Sequence, residues 1–107
     1  MSLIATATPS PQLLTPNDHT LLMIDFQSQM AFATHSIDGV NLRNNAALVA
    51  NAAAGFKVST ILTTVAEKSF SGPMFDEVTK PFEGQAVLDR TTMNAWEDTQ
   101  IVAAVNR

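Results

Sequence analysis

The chain has 107 residues, enough for one small core, and its 46% apolar content is that of an ordinary globular protein. A formal charge of −4 without a Lys/Arg cluster argues against nucleic acid as a partner, and no run of about 20 apolar residues offers a membrane span. Cysteine is absent, which excludes disulfides and thiolate zinc sites and fits a cytoplasmic location.

Charged residues make up only 15% of the chain, against roughly 25% in an average soluble protein. So small a share on a small domain points to surface covered by a partner, or to a piece of something larger. Residues 1–19 carry Pro9, Pro11 and Pro16 among Thr and Ser. Proline fixes φ and lacks an N–H, so this stretch reads as an extended N-terminal arm that either lies on a neighbour or frays. It has no basic region followed by an apolar one, so no signal peptide is expected.

Thr20 to Phe26, TLLMIDF, is a short apolar run ending in a charge, the pattern of a strand buried on both faces. Asn41 to Ala54 reads as a helix, with Leu42, Ala46, Val49 and Ala53 at helical spacing and Gly55 where a left-handed cap is expected. Lys57 to Val65 is rich in β-branched residues and reads as a second strand. A loop with Ser71-Gly72-Pro73 follows, then a short helix over residues 74–80 that Pro81 ends. Ala86 to Leu88 reads as a brief third strand. Asn94, with Glu97 three residues on, reads as the N-cap of a last helix through Ile101 and Val105. Strands alternating with helices predict an α/β fold with a parallel sheet and right-handed crossovers. Three parallel strands alone would leave a long exposed edge, a physical reason to expect more of the sheet elsewhere.

Asp25 stands at the C-terminal end of the first strand, where open α/β sheets bind ligands. Flanked by Ile24 and Phe26, its carboxylate would be partly desolvated, which suits a general base. The competing reading is a loop aspartate that caps a turn. Gln27 is placed either to orient Asp25 or a ligand amide, or simply to face solvent. Arg90 follows the third strand at the same edge, where a guanidinium would pair with Asp25, hold a carboxylate or lower a neighbour's pKa, although on its own a surface arginine is the favoured reading. Asn94 suits a cap better than a ligand group, and Trp96 suits a pocket wall or core. His19 and His35 lack metal-type spacing, so no metal is expected, and no phosphate-binding glycine motif suggests a nucleotide cofactor.

Together these residues resemble the isochorismatase-like cysteine hydrolases. The stretch TPNDHTLLMIDFQ is similar to that family's first strand with its D-x-Q ending, here Asp25 and Gln27. VSTILTT is similar to its second strand, and LDRTTMNAW to the segment that carries its basic catalytic residue and an aromatic wall. The likeness runs from Pro16 onward and is closest to a subgroup of small hydrolases without a settled substrate.

The resemblance implies a three-layer α/β/α Rossmann-like sandwich, of which residues 20–107 would form the N-terminal half with about three strands. It implies an Asp–Lys–Cys triad acting on a small amide-like or related C–N or C–O substrate, no cofactor, and a homo-oligomer. Asp25 takes the general-base position. Arg90 takes the position that is Lys in much of the family. Because Arg stays charged, it would orient groups and stabilise charge without passing protons. Gln27, Phe32, Asn94 and Trp96 are the expected substrate-binding residues. The family's cysteine follows a fourth strand, at a helix N-terminus that makes a thiol reactive, and is expected beyond Arg107. The alternative is a non-catalytic α/β ligand-binding or oligomerisation domain.

Overall fold

A computed structural model describes residues 10–107; the arm's first nine residues lie outside the described residues. Residues 10–18 are exposed and form hydrogen-bonded turns, one of them closed by Thr15 N–H donating to Asp18 Oδ1 at 2.8 Å. That bond holds the Asp18 carboxyl below its ordinary range.

Three strands follow in the expected order: β1, Thr20–Ile24; β2, Ser59–Val65; and β3, Val87–Arg90. They form one sheet in the order β1-β2-β3 with both pairings parallel. Met23 sits opposite Leu62 and Leu62 opposite Val87, so these three share a face, because strand side chains alternate. On that face they meet Ala46 and Ala50 of α1 (Gly39–Gly55), Val78 of α2 (Asp76–Thr79), and Met74 and Phe75 just before it. The buried residues of α1 are Ala46, Ala50 and Ala53. Small side chains at this spacing let the helix backbone lie close to the sheet.

The other face carries Ile61, Thr63, Leu88 and Arg90, by the same alternation. α3 (Thr99–Val105) packs against β2 here. Ala104 and Arg107 close a hollow with Ile61 and Leu88, and Ile101 is buried. Helices therefore cover both faces of a parallel sheet, the α/β/α layering that the alternation predicts. No described helix is long and apolar enough to cross a membrane.

Several boundaries differ from the sequence reading, each for a local reason. α1 starts at Gly39 because Asp38 caps it, accepting from Asn41 N at 2.9 Å. It runs through Gly55, so Gly55 is not the left-handed residue. That conformation falls on Lys57, φ 57°. Lys57 N donates to Ala54 O at 3.1 Å and Val58 N to Ala53 O at 2.9 Å, which is a Schellman closure with lysine where glycine is usual. The second helix forms only over Asp76–Thr79: Phe75, φ −52° and ψ 132°, is its non-helical N-cap, and its N–H donates to Phe26 O at 2.8 Å. The chain continues through Pro81 as a 3-10 turn, Lys80–Phe82, with proline in its first turn, where a missing N–H costs little. β3 extends to Arg90, which lies opposite Val65. Asn94 caps a separate 3-10 turn, Ala95–Glu97, whereas α3 is capped by Asp98, which accepts from Gln100 N and Ile101 N.

Candidate functional site

β1 and β2 each end in a left-handed, non-glycine residue at the C-terminal rim of the sheet: Asp25, φ 64°, and Ala66, φ 47°. Aspartate tolerates this conformation better than most residues, and strained backbone concentrates at functional rims. Asp25 N still donates to Thr63 O at 3.0 Å, after which the chain turns sharply, with Gln27 N reaching back to Asp25 O at 2.9 Å.

The turn is held by the segment before α2. Ser28 N donates to Pro73 O at 2.9 Å and Gln29 N to Ser71 O at 3.1 Å, and Gln27 bridges Met74. Gly72 makes this approach possible. Its φ is 76°, and a Cβ there would sit 2.6 Å from Ser28 Oγ. Gln27 is fully buried, which corrects the solvent-facing reading. Its Nε2 donates to Val65 O at 3.0 Å and Gly72 O at 2.7 Å, and its Oε1 accepts from Val65 N at 2.9 Å. A side chain so engaged braces three segments and has little amide capacity left for a ligand.

Arg90 reaches across β2 to Asp25, 65 residues away in sequence. Its Nη1 donates to Asp25 Oδ1 at 2.9 Å and its Nη2 to Asp25 Oδ2 at 3.0 Å, the two-pronged geometry that suits a guanidinium. Nη1 also meets Thr63 Oγ1 and Thr64 O, each at 3.1 Å, and Nη2 donates to Met93 O at 3.0 Å. Thr63 Oγ1 in turn donates a hydrogen bond to Leu88 O at 2.7 Å. The Arg90 side chain has 0% exposure, while that of Asp25 keeps 22%. The buried charge is therefore the arginine, and the carboxylate is its outlet to solvent. Among the described residues only Arg90 Nε and Ser71 Oγ are buried side-chain polar atoms without a partner.

Phe32, Asn94 and Trp96, the other expected site residues, make no hydrogen bond to this pair. Phe32, in the 3-10 turn Met30–Ala33, is 87% exposed and borders a hollow with Ser28, Asp38 and Arg43. Asn94 spends its Oδ1 on Trp96 N at 3.0 Å, the capping role. Trp96 is 55% exposed, so it is not core, and its loop is tied to Arg90 through Met93 O. Sequence reasoning missed Thr63 and Met93 O as supports of Arg90. Thr63 is one of three threonines in a β-branched run, and nothing in the run marks it. No group of three or more His, Cys, Asp or Glu among the described residues is placed to hold a metal ion.

Chemically, the arrangement is a fixed carboxylate–guanidinium pair at the rim of a parallel sheet. Both carboxylate oxygens are held, and each retains lone-pair capacity toward the opening. The carboxylate can accept a proton from a group placed above the rim, whereas the guanidinium can hold charge and geometry only.

No family model matches the chain. It is 30% identical over 93 residues to the probable hydrolase YcaC of Escherichia coli strain K12, a stretch that is 86% of this chain and 45% of that relative. Its fold matches the crystal structure of the E. coli ycaC gene product, described as an octameric hydrolase of unknown specificity. That match has a TM-score of 0.83 and 30% identity over 92% of this chain and 49% of the other. It matches YcaC from Pseudomonas aeruginosa, solved with hexane-2,5-diol and covalent acrylamide, with a TM-score of 0.83 and 28% identity over 92% and 50%. The chain is thus similar to YcaC proteins over most of its own length, shares their α/β fold there, and spans about half the length of the relatives it matches.

Proposed function

We propose that this chain supplies one half of an isochorismatase-like cysteine hydrolase that acts on a small amide-like or related C–N or C–O substrate. The observation that carries the reading is the Asp25–Arg90 pair, two charges 65 residues apart joined at the C-terminal rim of a parallel sheet. Similarity to a probable hydrolase supports it. So does the covalent acrylamide in the Pseudomonas relative, because acrylamide is an electrophile and bonds to a nucleophile. The 107 residues contain no cysteine, so the thiol would come from polypeptide outside them.

In this reading Asp25 is the base. It takes the thiol proton, the thiolate attacks the electrophilic carbon, and the proton is delivered to the leaving atom as its bond to carbon breaks; water then attacks the same carbon, Asp25 takes its proton, and the C–S bond breaks with that proton returned to sulfur. Arg90 is a positioning residue that holds both Asp25 oxygens, so the base does not rotate between steps. Gln27 supports Asp25 by fixing the turn after it and takes no part in substrate binding. Met93 is tied to the rim through the bond its carbonyl accepts from Arg90, Trp96 follows it in the same loop, and Phe32 is an exposed side chain of a separate turn. A homo-oligomer is proposed from the low charge content and from the octameric E. coli relative.

The test is a chimera in which this chain replaces the matched stretch of E. coli YcaC. Two readouts are taken: turnover of a panel of small amides and esters, and acrylamide incorporation by intact mass. Asp25→Asn is expected to lower turnover by about 10²–10⁴-fold and to slow acrylamide incorporation. Rates unchanged by Asp25→Asn in both readouts reject the role. The non-catalytic alternative has one observation in its favour, the complete absence of cysteine. A chimera that neither turns over substrate nor takes up acrylamide would establish it.

A further inference from the structure

The Asp25–Arg90 pair presents its two charges unequally to an incoming molecule. The guanidinium is closed. Nη1 has two N–H groups and meets three acceptors, Asp25 Oδ1, Thr63 Oγ1 and Thr64 O. Nη2 has two N–H groups and meets two, Asp25 Oδ2 and Met93 O. Nε is buried without a partner, and the whole side chain has 0% exposure. A carboxylate arriving from solvent therefore finds no N–H of Arg90 to take unless a bond already made is broken.

The carboxylate is open. Asp25 keeps 22% side-chain exposure, and each of its oxygens accepts one bond, from Arg90, which leaves lone pairs on both. What a substrate meets at this pair is an acceptor rather than a donor. The charge of the surrounding segments has the same sign. Residues 25–29, 66–70 and 91–97 lead away from the C-terminal ends of β1, β2 and β3. Besides Asp25 they carry Glu67 and Glu97 against one cation, Lys68. Arg43 is occupied elsewhere, by Glu77 and over the Phe75 ring.

We infer that the substrate is an uncharged molecule that donates an N–H to Asp25, and that molecules with a carboxylate beside the reacting group are excluded. A solvent-facing arginine would favour the opposite class, because its fork binds a carboxylate two-pronged. Here Thr63 Oγ1, Thr64 O and Met93 O take the N–H groups that Asp25 leaves, so Arg90 holds the acceptor and receives nothing itself. The inference rests on the hydrolase reading and narrows its substrate class.

The test uses the chimera of this chain with E. coli YcaC and four electrophiles. Acrylamide is uncharged with N–H groups, N-methylacrylamide is bulkier and keeps one, N,N-dimethylacrylamide has none, and acrylate is an anion. Uptake is read by intact mass at neutral pH, each rate divided by the rate with free cysteine to remove intrinsic reactivity. Acrylamide and N-methylacrylamide are expected to lead the dimethyl compound by at least about tenfold, the effect of one hydrogen bond to a charged group. Their lead over acrylate is expected to be at least as large, because like charges meet there. Asp25→Asn, whose side-chain amide offers donors, is expected to shrink the lead over acrylate by at least about tenfold. Should Asp25→Asn take up nothing, the ratios of the parent chimera decide. Normalised rates without either lead, or a lead over acrylate that Asp25→Asn leaves intact, overturn the inference while the hydrolase reading stands. Uptake of none of the four by the parent chimera overturns both.

Discussion

The two faces of the sheet are held by different physics. On the α1 face, Met23, Leu62, Ala46, Ala50, Phe75 and Val78 form an apolar cluster, and the buried Thr64 at its edge is satisfied by Asp89 at 2.8 Å. On the other face, at the C-terminal rim, Thr63 and Arg90 are just as buried, and Arg90 is linked to Asp25 by directional bonds. The apolar face is stabilised by area and tolerates substitutions that conserve volume. The polar rim depends on every donor finding its acceptor, because a buried charge that loses its partner cannot be rehydrated. Stability and chemistry are thus separated across a single layer of strands.

The comparison can be broken hardest on the apolar face. Phe75 is 1% exposed, meets Phe26 edge-on at 6.3 Å and lies under the Arg43 guanidinium, 4.3 Å from its ring centre. Phe75→Ala should cost about 3–5 kcal/mol, measured as the loss in urea-unfolding free energy. On the rim, Arg90→Ala strands Asp25 and Thr63 and should cost about 3 kcal/mol, at the low end for a buried pair because Asp25 keeps some access to solvent. Arg90→Lys should recover only part of that, since an ammonium cannot hold both oxygens. An Arg90→Ala loss below that of an ordinary surface substitution would erase the distinction between the faces.

Smaller effects sharpen the comparison by probing sites that belong to neither face. Lys57 occupies the left-handed position that closes α1, so Lys57→Gly should raise stability by about 1 kcal/mol, read as a higher urea midpoint. The Arg43–Glu77 pair, at 2.7 and 3.2 Å, sits at the margin of the apolar face, with more than a third of each side chain exposed. The bond from Arg43 holds Glu77 below its ordinary 4.5 and, reciprocally, raises Arg43. A carboxyl lowered in the folded state stabilises it above the unfolded value and loses that contribution as pH falls through the folded one. Glu77→Gln should therefore cost about 0.5 kcal/mol at neutral pH. The difference from the parent should shrink as pH drops below 4.5.

Legibility in the sequence followed the range of the interactions. TLLMIDF and STILTTV are visible as strands because each is a short apolar run, but the expectation of burial on both faces holds only for STILTTV: β1 is an edge strand that buries Met23 and leaves Ile24 40% exposed. Asp25 could be placed at a ligand-binding rim because the end of a parallel strand is a topological position that a linear pattern can locate. Gln27 could not be understood that way, since its partners Val65 and Gly72 lie 38 and 45 residues away. The capping residues were misassigned for a subtler reason. Gly55 and Asn94 are good caps, but Lys57 and Asp98 are where the helices turn or begin once the flanking strands fix the path.

The sequence by itself determined the alternation of strands and helices, the parallel sheet and the presence of an acid at a strand end. These depend on side chains within a few residues of one another. Only the tertiary structure decided that Arg90 closes on Asp25, that Gln27 is a brace, that Phe32 is exposed, and that β1 lies at the edge of the sheet. Each of these is set by where a distant backbone group comes to rest when the layers pack, and no local pattern carries that information.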